Sequence, residues 1–264
     1  MHASFSNALA RALALLFAAA PVAPAIEDKL PPLRLAIVGD STVASYDKKS
    51  PVHGWGEFIQ SRVRSRVIVH NAAVSGASTS SFLAEGRWDA VLTGRPSVVL
   101  IQFGHNDAIQ ALSPVQYAAN LQRFVTSARA IGAAPILVTP MELRVFRKTG
   151  ELIPTLQPYA DAMRQLAARE HVPLVDLNQL SGQLFSSLGP TRSYQLGSTW
   201  TDRTHFNMLG ARAMAELVLR ELAQMKTPLS REILALPPSM PILAATPIPV
   251  KPARPPRRPR TTTN

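Results

Sequence analysis

Five apolar runs of strand length recur after Pro31-Pro32, separated by stretches whose apolar residues fall at helical spacing, and no other feature restricts the fold as much. The runs are residues 33–38, 67–69, 97–102, 135–139 and 173–176. Residues 54–63, 114–131, 157–170 and 208–225 place apolar side chains three and four apart, as amphipathic helices do. Strands alternating with helices predict an α/β fold, a parallel sheet covered by helices on both faces. Ligands of such sheets bind at the carboxyl ends of the strands. The chemically capable residues cluster there: Asp40-Ser41 after the first run, Ser75-Gly76 after the second, and Gly104 to Asp107 after the third.

Both ends of the chain read differently. Residues 1–25 have a polar start ending at Arg11, an apolar stretch over residues 12–20, and Ala23-Pro24-Ala25 as a small-x-small cleavage site. This is the pattern of a secretory signal peptide, and its apolar part is shorter than the roughly 20 residues that span a bilayer. A secreted or periplasmic product is expected. Residues 226–264 contain ten prolines, no glycine and the basic finish ARPPRRPRTTTN, which predicts a disordered or polyproline-like tail. The expected organisation is therefore a signal peptide over 1–25, one domain over 26–225, and a tail over 226–264.

The formal net charge of +11 suggests nucleic acid until it is divided along the chain. The tail has seven basic residues against one acid and the leader contributes Arg11, so the domain retains only +4. No nucleic-acid partner is expected; the tail is either a solvated extension or a weak electrostatic contact with the cell envelope. The absence of cysteine excludes disulfides, thiol catalysis and cysteine-based zinc sites.

Ser41 is the candidate nucleophile, because an apolar strand delivers it into a Gly-Asp-Ser turn. A helix starting just after it would offer backbone N–H groups to developing negative charge. The Gly-x-Ser-x-Gly elbow of the α/β-hydrolases is absent. Asp202 and His205, three apart, permit a carboxylate–imidazole pair; the competing reading is that Asp202 caps the helix beginning near Asn207. His105 competes as the base, since it adjoins Asn106 and Asp107. The Asn106 amide and the Gly76 backbone N–H are candidate donors to an oxyanion.

Together GDSTVASY, GWGEFI, NAAVSGASTSSF, EGRW, IQFGHND, DRTHF and NMLGA resemble the SGNH hydrolases, or GDSL-type esterases, and among them most the rhamnogalacturonan acetylesterases. The likeness runs from about residue 33 to residue 222. It implies a three-layer αβα sandwich with a flavodoxin-like five-stranded parallel sheet. It implies Ser41 as nucleophile, an oxyanion hole of the Ser41 and Gly76 N–H groups with the Asn106 side chain, and Asp202 and His205 completing a triad. The expected activity is removal of O-acetyl groups from a polysaccharide of the pectic kind, with no cofactor or metal, by a monomer. The alternatives are a lipase or thioesterase acting on short-chain acyl esters, and a non-catalytic binder of wall polysaccharide. Two departures from the related acetylesterases bear on how a charged sugar is held: Ala77 follows Gly76 where arginine is common, and Arg144 stands alone where a basic pair is common. Trp55, Trp88 and Trp200 are candidates for stacking on sugar rings.

Overall fold

Along each central strand, alternate residues enter two different cores, so the sheet is buried on both faces. The computed structural model describes residues 30–236; the expected signal peptide and the tail from residue 237 on lie outside them. The chain divides into two units, residues 1–31 and 32–264, and every regular element among the described residues belongs to the second.

The elements follow in the order β1 (Leu33–Gly39), two 3-10 turns (Trp55–Phe58 and Gln60–Arg62), β2 (Val67–Asn71), α1 (Thr79–Ala84), α2 (Arg87–Thr93) and β3 (Val98–Gln102). Then come α3 (His105–Ile109), α4 (Pro114–Ala130), β4 (Ala134–Val138), α5 (Gln157–Glu170), β5 (Leu174–Val175), α6 (Leu177–Tyr194) and α7 (Met208–Gln224). The five strands form one sheet in the order β2-β1-β3-β4-β5, and all pairs are parallel. Leu33, Leu35, Ile37, Val98, Leu100, Ile136 and Val138 join one core with residues of α6 and α7. Ala36, Val38, Val99, Ile101 and Leu137 join the other, with residues of α1, α2, α4 and α5. A side-chain period of two divides the apolar residues cleanly between these layers. The αβα sandwich is the expected fold.

The strand order reverses between β1 and β3, which pair from Leu35–Val98 to Gly39–Gln102. Ser41 and Asn106 therefore leave neighbouring strand ends at the switch point of the sheet, where α/β folds open a crevice.

Three elements differ from expectation. Residues 54–63 form 3-10 turns rather than one helix. No helix follows Ser41: a single turn closes with Val43 N and Ala44 N on Asp40 O. The carbonyls that would continue that helix are already taken, Thr42 O by Trp55 N, and Val43 O by Gly56 N and the Asn71 side chain. The chain is also ordered beyond Met225. Leu229 is fully buried, Ile233 bridges Val63, and Arg66 grips the Glu232 carboxylate with Nε and Nη2. The boundary expected at Met225 thus moves to at least Leu236, because this segment covers an apolar edge and supplies a carboxylate to Arg66.

Candidate active site

The turn after β1 presents Ser41 with only 6% of its surface exposed. Its carbonyl accepts a hydrogen bond from the Tyr46 hydroxyl at 2.8 Å, which ties the turn to the segment that follows. His205 Nε2 lies 3.0 Å from Ser41 Oγ, and its Nδ1 lies 3.0 Å from Asp202 Oδ2. A carboxylate only accepts, so Nδ1 carries the proton and Nε2 is left as the acceptor facing the serine hydroxyl.

Asp202 sits in a tight loop and caps no helix; the N-cap of α7 is Asn207, whose side chain accepts from Gly210 N. Oδ1 accepts from Thr204 N and His205 N, both at 2.8 Å, and Oδ2 accepts from Ser198 Oγ at 2.6 Å besides the imidazole. Partial burial opposes its charge, but these donors outweigh it and hold the carboxyl at a pKa of about 2. The side chain is a fixed anion against the imidazole. Ser198 has no distinguishing pattern in the sequence, and its part in the site emerges only from the fold.

His105 is placed elsewhere. It is 3% exposed, with Nδ1 3.1 Å from Asp40 Oδ2 and Nε2 3.1 Å from Met141 O. A carbonyl and a carboxylate both accept, so both ring nitrogens donate and the ring is an imidazolium. Burial opposes charge on each partner, yet their attraction and hydrogen bonding raise the His105 pKa and lower that of Asp40. Asp40 Oδ1 also accepts from the Thr42 N–H and hydroxyl. Thr42 in turn accepts from Gln102, and Gln102 accepts from the Trp55 indole. This buried chain joins the Ser41 turn to the helix that carries Asn106.

Gly76 has φ +81, a left-handed conformation suited to glycine, with nothing within 4 Å of where a Cβ would stand. Among the described residues, the backbone N–H groups of Ser41 and Gly76 donate no hydrogen bond. Asn106 Nδ2 donates to Ala77 O at 2.9 Å, which uses one of its two hydrogens. Gly104, at φ +138, brings the backbone against Pro140, where a Cβ would come within 2.7 Å of Cγ.

Arg144 is fully buried and so does not reach a sugar, contrary to the substrate role considered for it. Its Nη2 donates to Asp202 O at 3.0 Å and His205 O at 2.7 Å, and the guanidinium lies 4.3 Å from the Phe206 ring centroid. Burial lowers its pKa to about 10. Trp55 and Trp88 are buried and bonded to Gln102 and Ser127, whereas Trp200 is 52% exposed.

The GDSL-like lipase/acylhydrolase family matches residues 37–213. The chain is 32% identical over 209 residues to the probable rhamnogalacturonan acetylesterase YesY of Bacillus subtilis (strain 168), covering 75% of this chain and 96% of the relative. It is 34% identical over 224 residues to the rhamnogalacturonan acetylesterase RhgT of the same strain, covering 77% and 95%. Among solved structures, protein YxiM of Bacillus subtilis superposes with a TM-score of 0.69 at 28% identity, over 76% of this chain and 58% of that one. A catalytic mutant of Axe2, an acetylxylan esterase of Geobacillus stearothermophilus, superposes with a TM-score of 0.58 at 19% identity over 73% and 95%, a likeness of fold.

Proposed function

Because the chain belongs to the GDSL-like lipase/acylhydrolase family and is an ester hydrolase of it, we propose that it removes O-acetyl groups from an acetylated polysaccharide of the pectic kind, with Ser41, His205 and Asp202 as its catalytic residues. The relay of 3.0 Å from Ser41 Oγ to His205 Nε2 and 3.0 Å from Nδ1 to Asp202 carries this reading. In it, Ser41 Oγ attacks the acetyl carbonyl carbon as His205 Nε2 takes the hydroxyl proton. The tetrahedral oxyanion is met by the N–H groups of Ser41 and Gly76 and the second hydrogen of Asn106 Nδ2. Collapse breaks the bond to the sugar oxygen, and His205 returns its proton to that oxygen. Water, deprotonated by His205, then attacks the acetyl-serine; the bond to Ser41 Oγ breaks as His205 Nε2 returns the proton to that oxygen, and acetate is released. Asp202 holds the imidazole in one tautomer and stabilises its protonated form.

The substrate class rests on the two relatives named as rhamnogalacturonan acetylesterases, each covered almost end to end. Export rests on the leader in residues 1–25, and N-terminal sequencing of secreted protein tests it directly. For the chemistry, acetate release from acetylated pectic fragments is compared between the wild type and Ser41→Ala. Retained release by the variant overturns the assignment of Ser41. Faster hydrolysis of butyryl and longer esters than of acetyl esters would instead favour a lipase.

A further inference from the structure

We propose that Trp200, Tyr194 and Arg203 form a subsite for a uronic acid residue of the polysaccharide, placed beside Ser41 by the loop that carries Asp202 and His205. The proposal rests on the reading of the protein as a carbohydrate acetylesterase. Trp200 is the one tryptophan left exposed, and its indole N–H makes no hydrogen bond among the described residues. An exposed indole offers an apolar face to the C–H groups of a sugar ring and an N–H to a hydroxyl. Trp200 is held in place: the ring meets the Tyr194 edge at 5.8 Å and 81°, and its carbonyl accepts from Arg203 Nη1 at 2.7 Å.

Arg203 identifies the kind of sugar. Its guanidinium lies 3.6 Å from the Tyr194 ring centroid, so its plane is fixed, and of its five N–H groups only the one to Trp200 O is engaged among the described residues. It has no carboxylate partner there, although Asp202 is its neighbour in sequence; that carboxylate is taken by His205, Ser198 and two backbone N–H groups. A fixed guanidinium with free donors suits a planar carboxylate. A sugar with one apolar face and a carboxylate matches this set, and a neutral sugar satisfies only the indole.

The test separates binding from catalysis. In Ser41→Ala protein, tryptophan fluorescence is titrated with an acetyl-free galacturonate–rhamnose oligosaccharide and with a neutral xylo-oligosaccharide. Adding Arg203→Gln weakens the acidic ligand by about 10-fold or more, the scale of a lost charge-assisted pair, while shifting the neutral ligand less than about twofold. Trp200→Ala weakens both. In otherwise wild-type protein the same variants raise KM for acetylated pectic oligosaccharide more than they lower kcat/KM for p-nitrophenyl acetate, and Arg203→Lys restores part of the affinity. Equal losses with acidic, neutral and p-nitrophenyl substrates would show Arg203 to be a loop strut and overturn the proposal. A change of sedimentation with Trp200→Ala, without loss of oligosaccharide affinity, would assign the indole to a second copy and overturn it as well. Serine-independent p-nitrophenyl acetate hydrolysis would instead strike the esterase mechanism while the binding titration still decides the subsite.

Discussion

Asn106 keeps one amide hydrogen on Ala77 O and has the other for substrate, so its contribution is separable from the fold around it. Asn106→Ala is expected to lower kcat by roughly 10² to 10³-fold with little change in KM, the cost of one oxyanion donor. A fall below about threefold would remove it from that role. His105 lies one residue away and is expected to behave in the opposite manner, through stability. Its removal leaves Asp40 buried with only Thr42 as partner, a loss of about 3 to 5 kcal/mol for an uncompensated buried charge. Asp40→Asn combined with His105→Gln removes both charges, so it is expected to recover part of that loss. The pair also sets a pH window. His105 has a raised folded pKa, so its contribution is complete below about 6.5 and declines as pH rises through the folded value. Asp40 is lowered, so its contribution is complete above about 3.9 and is lost as pH falls through the folded value. Urea midpoints of wild type and double variant between pH 4 and 9 should therefore diverge most near pH 5 and converge toward the alkaline end.

The loop between β4 and α5 acts as the scaffold of the loop that carries His205. Arg144 sends Nη2 to two carbonyls of that loop and stacks on Phe206, while its backbone N–H bonds Arg203 O. Arg144→Met is expected to retain an apolar stem but strand the Asp202 carbonyl, at about 1 to 3 kcal/mol, and to leave the His205 carbonyl with the Ser198 N–H alone. The predicted result is a kcat loss larger than the KM change, with faster amide exchange over residues 197–206; an unchanged exchange rate would remove the scaffolding role. Little in the sequence announces this. The sequence pointed Arg144 at a charged sugar, because its actual partners are backbone carbonyls 58 and 61 positions away that no local pattern marks. The strand ends were legible, since buried parallel strands are continuous apolar runs and Gly-Asp-Ser, Ser-Gly and Gly-His-Asn-Asp each follow one. α6 was not, although Leu177, Leu184, Phe185 and Leu188 lie on its buried side. Serine, glycine and Pro190 dilute its helical pattern, and Gly189, at φ 69, kinks it. The missing helix after Ser41 has the same origin: whether a carbonyl is free to continue a helix depends on chain that returns from elsewhere.

At the scale of the whole molecule, composition marks where the pattern changes but not where packing ends. Proline-rich sequence begins near Lys226, yet residues 226–236 seal the open side of the 3-10 turns and β2. Leu229 is fully buried, Arg64 N bonds Glu232 O, Leu234 N bonds Arg62 O, and Arg66 pairs with Glu232. A deletion from residue 237 removes Lys251, Arg254, Arg257, Arg258 and Arg260 and keeps this seal, so it tests the basic tail as an envelope contact; a deletion from Lys226 confounds lost charge with a damaged domain. Ending the chain at Met225 removes about 2 kcal/mol of Leu229 burial. It also leaves Arg66 without its partly buried carboxylate, worth about another 1 kcal/mol. For a domain of this size, about 3 kcal/mol corresponds to a fall in Tm of roughly 6 to 12 °C. Ending it at Leu236 is expected to leave Tm and p-nitrophenyl acetate turnover at wild-type values. Thermal melts of the two truncations decide between a boundary set by composition and one set by packing: equal Tm values would return it to Met225.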